Sequence, residues 1–255
     1  MDSGSWVLGQ QYNMTLKAVL FDFNGVIIND EPIHEQLIEQ LLIEENLRPI
    51  PGEFQEVCLG RSDRVCLTEL LKRRGRVVSE AYLLQLMQRK AQAYQQQIER
   101  IAKLPTYSGL EDLIFQTRSQ QLKLAVVSGA MRSEIELVLN RLNLTQYFSI
   151  LVAGNDITTS KPEPDGYLLA VERLNQLYPE LQLQPEQCIA IEDTPAGIQA
   201  AKAAKIPVVG VANTYPFHMM QRQANWAVDY LNQLDLEWVQ QVLAKAIPQP
   251  TVTEC

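Results

Sequence analysis

Six polar residues stand at or shortly after apolar runs, and their types together suit one kind of chemistry. They are Asp22, Asn24, Ser128, Lys161, Glu192 and Asp193. Carboxylates from two separate strands suit a hard divalent cation, because such cations prefer oxygen ligands. A serine hydroxyl and a lysine suit the oxygens of a phosphate group. The set therefore predicts a Mg²⁺-assisted phosphoryl-transfer site in which a carboxylate is the nucleophile.

The apolar runs are typical of buried parallel strands. Each is rich in Val, Ile, Leu or Ala and is bounded by turn residues; they lie at 17–22, 122–128, 150–154, 188–192 and 207–211. Helical patterns separate the later runs, as at 132–142 and 165–177. This alternation predicts an α/β fold with a doubly wound parallel sheet. Because ligands collect at the carboxyl ends of the strands in such sheets, we expect the six polar residues to meet there.

The segment between the first two strands has a different character. It shows amphipathic helical patterns at 33–45, 63–74 and 79–101 and no convincing strand. Such a segment is too long to be one crossover connection, so we expect an inserted α-helical cap domain. The predicted division is a core of residues 16–30 plus 105–247, a cap of residues 31–104, and tails at 1–15 and 248–255.

Size and charge exclude several classes of function. The 255 residues suit one core with a smaller insertion. A net charge of −8 disfavours a broad nucleic-acid footprint. The basic cluster at 72–76 is interpreted as a helix C-terminus with Gly75 as the stop. No apolar run is long enough to span a bilayer, so we expect no membrane partner.

The cysteines and histidines disfavour a zinc site. Cys58, Cys66, Cys188 and Cys255 include no C-x-x-C pair, and the chain has only two histidines. The N-terminus lacks the pattern of a signal peptide. We therefore expect a cytoplasmic protein with reduced cysteines.

Four motifs in order resemble those of the haloacid dehalogenase (HAD) superfamily of phosphohydrolases. They are DFNGV at 22–26, VVSG at 126–129, SKPEPD at 160–165 and IEDTPAG at 191–197. The chain is most similar to the β-phosphoglucomutase and phosphatase branch, which has a helical cap after strand one. The resemblance covers about residues 16–246. It implies a Rossmann-like core, a Mg²⁺ cofactor and a small phosphorylated metabolite as substrate.

The resemblance also implies a role for each matching residue. Asp22 attacks phosphorus and becomes an aspartyl phosphate. The metal ligands would be Asp22, the backbone carbonyl of Asn24, Glu192 and Asp193. Catalytic and substrate contacts would come from Ser128, Gly129 and Lys161. Further substrate contacts are expected from His34 and Arg61 in the cap and from Arg132 just past Ser128.

Three local features extend this interpretation. The resemblance suggests a cis peptide bond at Lys161–Pro162. Thr194 and Pro195 are suited to the N-cap and first position of a helix whose N–H groups face the site. Asp30 and Glu31 are expected to cap the helix that follows them.

Asn24 is the main departure from the family pattern. Phosphatases and mutases of the superfamily normally carry a second aspartate there, which transfers a proton to the leaving group. The Asn side chain cannot do this near neutral pH, and general acid–base catalysis is worth roughly 10²–10⁴-fold. We therefore predict intact Mg²⁺ binding with weak turnover.

Several alternatives stay open. The leading function is hydrolysis of a small phosphate monoester such as a sugar phosphate. A β-phosphoglucomutase-like phosphomutase and a catalytically impaired phosphometabolite-binding protein are the rivals. Phosphonoacetaldehyde hydrolase chemistry is disfavoured because residues 48–64 contain no lysine. Metal-free dehalogenation is disfavoured because Glu192 and Asp193 are present. We expect a monomer or weak homodimer.

Overall fold

The computed structural model describes residues 15–245, and a six-stranded parallel sheet lies at its centre. The strands are β1 (Ala18–Phe21), β2 (Lys123–Val127), β3 (Ile150–Val152), β4 (Cys188–Glu192), β5 (Val208–Val211) and β6 (Trp226–Val228). Their order across the sheet is β3-β2-β1-β4-β5-β6, and every neighbouring pair is parallel. Because β1 lies between β2 and β4, the residues that follow these three strands come together at one edge.

The central strand is apolar along its whole length because both faces of the sheet are covered. All four residues of β1 are buried. Val19 and Phe21 belong to the apolar cluster on one face, and Ala18 and Leu20 belong to the cluster on the other. Alternate side chains of a strand point to opposite faces, so β1 contributes to both halves of the core.

Ten α-helices occur between residues 15 and 245; five of them lie between β1 and β2, and the first four of these end before residue 101. These four are α1 (Glu31–Glu44), α2 (Glu53–Val57), α3 (Asp63–Arg73) and α4 (Glu80–Arg100). They share a separate apolar cluster that includes Leu41, Leu67 and Leu86. We call α1–α4 the cap, and we propose residues 31–104 as its bounds.

The remaining six helices pack with the sheet. They are α5 (Leu110–Ser119), α6 (Arg132–Arg141), α7 (Asp165–Leu177), α8 (Pro195–Ala203), α9 (Phe217–Gln223) and α10 (Leu236–Lys245). None of the helices in the described part of the chain is both long and apolar enough to cross a bilayer.

The predicted fold class is confirmed, with one strand missed. All five predicted strands are present, and β6 is the addition. The predicted helix end is also confirmed, because α3 stops at Arg73 and Gly75 adopts φ +70°. The structure describes neither residues 1–14 nor 246–255, so the predicted tails lie almost wholly outside it.

Two of the cysteines differ from expectation. Cys58 and Cys66 form a disulfide, so the expectation of reduced cysteines is wrong for this pair. The turn between α2 and α3 brings the two Cα atoms within 4.6 Å of each other, which lies inside the range that a disulfide needs. Cys188 is a free, buried thiol in β4.

Candidate active site

The first acidic residue of the site, Asp22, follows β1 directly and meets a buried lysine. Lys161 Nζ lies 2.9 Å from Asp22 Oδ1 and 2.6 Å from Glu192 Oε1. The same ammonium donates to the backbone carbonyl of Val127 at 3.1 Å. Asp22 Oδ1 also accepts the N–H of Phe23 at 2.7 Å. The lysine is therefore fixed between the ends of three strands, with all three of its donors directed at oxygen atoms.

Lys161 is held in its charged form by these neighbours. Burial alone would lower the pKa of the ammonium, but the negative charges of Asp22 and Glu192 outweigh burial and raise it. The Lys161–Pro162 peptide bond is cis, which confirms the expectation from the motif.

The acidic cluster beside the lysine carries more negative charge than one ammonium offsets. Oxygen atoms of Asp22, Glu192 and Asp193 all lie within 4.8 Å of one another. Burial, together with the charge of Asp22, raises the pKa of both Glu192 and Asp193 well above the usual range. Three buried carboxylates with one cation between them are a costly arrangement unless a further cation neutralises them.

A second observation also indicates that the oxygen atoms of this cluster suit Mg²⁺. Asp193 Oδ1 is buried and has no hydrogen-bond partner among the described residues. Carboxylate and carbonyl oxygens are the ligands that Mg²⁺ prefers. Asp22, the carbonyl of residue 24 and Asp193 are therefore the residues we propose as ligands. Glu192 lies beside them, with Oε1 already engaged by Lys161.

Sequence reasoning missed two residues that fix the acidic cluster. Thr214, in the loop after β5, donates its hydroxyl hydrogen bond to Asp193 Oδ2. The neighbouring Asn213 donates to the carbonyl of Gly25 at 2.7 Å. Gly25 itself adopts φ +78°, and a Cβ on it would lie 1.8 Å from Asp193 Oδ2. The sheet order brings this loop next to the loops after β4 and β1, because β5 lies beside β4 and β4 lies beside β1.

A third missed residue is Tyr167 in α7. Its buried hydroxyl donates to Glu192 Oε1 at 2.5 Å, and Lys161 Nζ lies 5.6 Å from the centre of its ring. The spacing after the Lys161 motif could have indicated it, because Tyr167 is two residues into the helix that this motif begins. Tyr167 therefore orients both members of the Lys161–Glu192 pair.

The residues predicted to contact the substrate line a cavity between the sheet edge and the cap, with one exception. Ser128, Gly129 and Lys161 line it from the core, and His34 and Arg61 line it from the cap. Ser128 Oγ accepts the N–H of Ala130 at 3.0 Å, so the hydroxyl hydrogen can be donated to a ligand. The structure thus brings five predicted substrate residues to one cavity, together with Asp22 and Asn24.

Arg132 is the exception among the predicted substrate residues. Its guanidinium lies 2.6 Å from Asp156 Oδ2 and donates to the carbonyl of Leu151 at 3.0 Å. Asp156 is shared with Arg173 at 2.9 Å. The side chain of Arg132 is therefore engaged with β3 and the loop after it and does not line the cavity, which contradicts the predicted phosphate contact.

The helix α8 begins as predicted. The Thr194 hydroxyl accepts the N–H of Gly197 at 3.1 Å, and Pro195 occupies the first helical turn. A Cβ on Gly197 would lie 1.8 Å from Glu192 Oε2. The helix start therefore packs directly on the acidic cluster, where positive backbone dipoles favour negative charge.

The side chain of Asn24 is held by a small buried network. Its Nδ2 donates to Asp30 Oδ1 at 2.9 Å and lies 3.1 Å from His34 Nε2. Tyr94 donates its hydroxyl to the other oxygen of Asp30, and its ring stacks on His34 with centroids 4.8 Å apart. Although burial opposes ionisation of Asp30, the charge of His34 and these hydrogen bonds lower its pKa.

The helix-capping expectation for Asp30 is therefore wrong. Asp30 is the residue before α1, but its side chain makes no capping hydrogen bond. It is fully buried and faces Asn24, His34 and Tyr94 instead. Glu31, the first residue of the helix, lines the cavity. Burial and the nearby charge of Asp30 raise the pKa of Glu31 to about 8.

The fold and the site define a Rossmann-like α/β fold with an acidic centre at the strand ends and a helical insertion after β1. A family model described as haloacid dehalogenase-like hydrolase matches residues 19–211. This range contains all four motifs and most of the chain, so the chain belongs to the haloacid dehalogenase-like hydrolases.

Similar proteins cover nearly the same length. A β-phosphoglucomutase of Bacillus subtilis is 28% identical over 242 residues, which are 91% of this chain and 100% of that relative. A phosphorylated carbohydrates phosphatase of Thermotoga maritima is 27% identical, with 78% of this chain and 87% of that relative covered. The crystal structure of a β-phosphoglucomutase from Clostridium difficile has a TM-score of 0.78 at 25% identity, covering 90% of this chain and 98% of the other.

Proposed function

We propose that this hydrolase is a Mg²⁺-dependent phosphatase of a small phosphorylated metabolite of the sugar phosphate class. The observation that carries the proposal is the contact of Asp22 with Lys161 at 2.9 Å on the floor of the cavity. A buried carboxylate beside a fixed ammonium suits a nucleophile whose target bears negatively charged oxygens. The named activities of the two relatives support the substrate class.

Each residue of the site has a separate role in the proposed reaction. The phosphate would be bound by Ser128, the backbone at Gly129, and Lys161. A carboxylate oxygen of Asp22 attacks phosphorus, and the ester oxygen leaves with the electron pair of the broken P–O bond. Water then attacks the aspartyl phosphate, which releases inorganic phosphate and restores the carboxylate. Lys161 and the start of α8 offset the charge that develops on the phosphoryl oxygens.

The proposed metal ligands are Asp22, the carbonyl of residue 24 and Asp193, with Glu192 beside them. When bound, Mg²⁺ would supply the positive charge that the three buried carboxylates lack. Thr214 and Gly25 would keep Asp193 in position for this role. Lys161 faces two of the three carboxylates, Asp22 and Glu192, so a bound cation would offset the remaining negative charge.

Proton transfer to the leaving oxygen is where this chain departs from its family. Asn24 cannot provide it. His34 lies in the same cavity, 3.1 Å from the Asn24 amide, and an imidazole can pass a proton to a neighbouring oxygen. We propose that His34 supplies the residual proton transfer and that turnover is weak with poor leaving groups. Arg61 would contact the substrate from the cap.

Two rival functions each have one supporting observation. A phosphomutase is supported by the full-length match to β-phosphoglucomutase. A phosphometabolite-binding protein without turnover is supported by Asn24. A cytoplasmic location and a monomer or weak homodimer stay predictions.

A panel of substrates tests the proposal. Purified protein is assayed with p-nitrophenyl phosphate and a set of sugar phosphates, with Mg²⁺ or with EDTA, and Asp22→Asn serves as the inactive control. The proposal expects Mg²⁺-dependent phosphate release that is fastest with the good leaving group and absent in the control. Equal release by wild type and Asp22→Asn would contradict it. Isomerisation of a sugar phosphate without phosphate release would favour the mutase.

A further inference from the structure

The disulfide between Cys58 and Cys66 lies in the wall of the substrate cavity. Both cysteines line it, as do Leu59, Gly60 and Arg61 between them. The bond therefore closes a short loop, residues 59–62, that joins α2 to α3 and carries the proposed substrate residue Arg61. We call residues 59–62 the cap loop.

The cap loop packs on the core segments that carry the proposed catalytic groups. The N–H of Ser62 donates to Ser160 Oγ at 3.1 Å, next to Lys161. A Cβ on Gly129 would lie 3.0 Å from Ser62 Cα, so the loop touches the residue after Ser128. A Cβ on Gly60 would lie 2.9 Å from Thr194 Cγ2, next to Asp193. The cap loop thus directly contacts three of the four motif segments.

We propose that Cys58–Cys66 is a redox modification site, with a dithiol reductant as its reaction partner, whose state sets how firmly the cap loop docks over the cavity. One thiolate of the reductant attacks a sulfur of the pair and breaks the S–S bond, giving a mixed disulfide. The second thiolate of the reductant displaces the protein sulfur. Two protein thiols form, two electrons and two protons are transferred, and the reductant becomes a disulfide.

When the disulfide is intact, the cap loop is already ordered before a ligand binds. The disulfide joins Cys58, just before the loop, to Cys66 in the first turn of α3, with their Cα atoms 4.6 Å apart. It therefore restricts the conformations that residues 59–62 can adopt. Without the bond, binding must order the loop and its side chains, and this ordering lowers affinity. Reduction therefore weakens ligand binding without altering Asp22 or Lys161.

The position of the bond also couples its reduction to occupancy of the cavity. Cys58 and Cys66 are only 5% and 2% exposed, so a reductant reaches them through the cavity or after the loop lifts from the core. A ligand that fills the cavity and holds the loop down should slow the reaction. This part of the inference depends on the proposed function, because it takes phosphate as the ligand.

Thiol mapping tests the site without any measurement of turnover. A Cys255→Ser protein is incubated with dithiothreitol under native conditions, then labelled with a maleimide and digested for mass spectrometry. Cys188 is the internal control, because this buried thiol in β4 reacts only if the core opens. We expect Cys58 and Cys66 to become labelled while Cys188 stays protected. Inorganic phosphate with Mg²⁺ at ten times its Kd should slow the labelling by about tenfold.

Two readouts test the effect on the cap loop. Amide hydrogen exchange is measured at 59–62 in the oxidised and reduced proteins, and the Kd for inorganic phosphate with Mg²⁺ is measured by calorimetry. Reduction should speed exchange in the loop and raise the Kd by about three- to tenfold. The double variant Cys58→Ser/Cys66→Ser should match the reduced protein. If the variant does not fold, as judged by circular dichroism, the reduced wild type supplies the comparison.

Different results would contradict the redox site and the proposed function. Equal exchange at 59–62 in the two redox states, or free thiols at Cys58 and Cys66 in protein purified without reductant, would overturn the redox site. If phosphate binds neither form, the proposed function is contradicted, and the exchange comparison still decides the inference.

Discussion

The side-chain amide of Asn24 donates a hydrogen bond to Asp30 Oδ1 over 2.9 Å. The family normally has a carboxylate at position 24, and this chain instead has the amide there and a buried carboxylate six residues later. The negative charge of this pair therefore lies on Asp30, whose carboxylate contacts Tyr94 and His34. This contact explains how the Asn24 side chain is held, and it means that an aspartate at position 24 would face the Asp30 carboxylate.

Restoring the family residue should raise hydrolysis. We expect Asn24→Asp to increase kcat for a sugar phosphate at least about tenfold, because general acid–base catalysis contributes roughly 10²–10⁴-fold. The new carboxylate would face Asp30, however, and two carboxylates at this distance cannot both ionise freely. The double variant Asn24→Asp/Asp30→Asn removes that conflict and should be the faster of the two near neutral pH.

The measurement is steady-state kinetics on both variants with Mg²⁺, and Asn24→Ala is the matched control that lacks any ionisable group. An unchanged rate in both aspartate variants would show that proton transfer at position 24 does not limit turnover.

His34 should carry the residual activity of the wild type. We expect His34→Gln to lower hydrolysis of poor leaving groups by about tenfold and to leave p-nitrophenyl phosphate nearly unchanged, because a good leaving group needs no proton. The loss should largely disappear in the Asn24→Asp/Asp30→Asn background, where an aspartate takes over. His218→Gln is the control, since the second histidine is exposed on α9. Equal losses with both leaving groups would indicate a binding role for His34 instead.

We expect Thr214 to affect the affinity for Mg²⁺ without contacting the substrate. Its hydroxyl is the group that orients Asp193, and loss of a residue that orients a ligand typically costs 10–100-fold in metal affinity. We expect Thr214→Val to raise the Kd for Mg²⁺ by about tenfold, measured by calorimetry on the protein after EDTA treatment. The exposed Thr158→Val is the control. An unaltered Kd would mean that Asp193 is not a metal ligand.

Glu31 should make the free energy of unfolding depend on pH. Burial raises its pKa in the folded protein from 4.5 to about 8, so the folded state binds this proton more tightly than the unfolded state. The stabilisation that protonated Glu31 adds to the folded state is fully present below about pH 4.5. It is lost as pH rises toward 8, and the free energy of unfolding falls by at most about 1.4 kcal/mol per pH unit.

Denaturant unfolding of metal-free protein checks this expectation. Glu31→Gln should equal wild type near pH 4.5 and exceed it in stability at pH 8, whereas the exposed Glu111→Gln should follow wild type throughout. The same pH slope in wild type and Glu31→Gln would refute the raised pKa of Glu31 in the folded protein.

The sequence was sufficient for five of the six strands and for the groups at the ends of β1, β2 and β4. Parallel strands such as β1 and β4 are apolar up to their carboxyl ends, so polar residues such as Asp22 and Asp193 stand out there. The prediction for Arg132 fails because nearness to Ser128 in sequence does not show which way a long side chain extends from the start of a helix.

Other contacts depend on tertiary structure alone. Thr214 meets Asp193 only because β5 lies beside β4, and no spacing in the sequence encodes that neighbour. The network of Asp30 and Tyr94 joins residues 64 positions apart. The pairing of Cys58 with Cys66 depends on how tightly the chain turns between two cap helices, which the residue types do not specify.

The most direct test of the central claim is capture of the covalent intermediate on Asp22. Wild-type protein is mixed with substrate and Mg²⁺, quenched in acid during turnover and reduced with borohydride, which converts an aspartyl phosphate to homoserine. Peptide mass spectrometry should find homoserine at position 22, only with substrate and Mg²⁺ present. Phosphate release during turnover with unmodified aspartate at position 22, or homoserine at another position, would contradict the account.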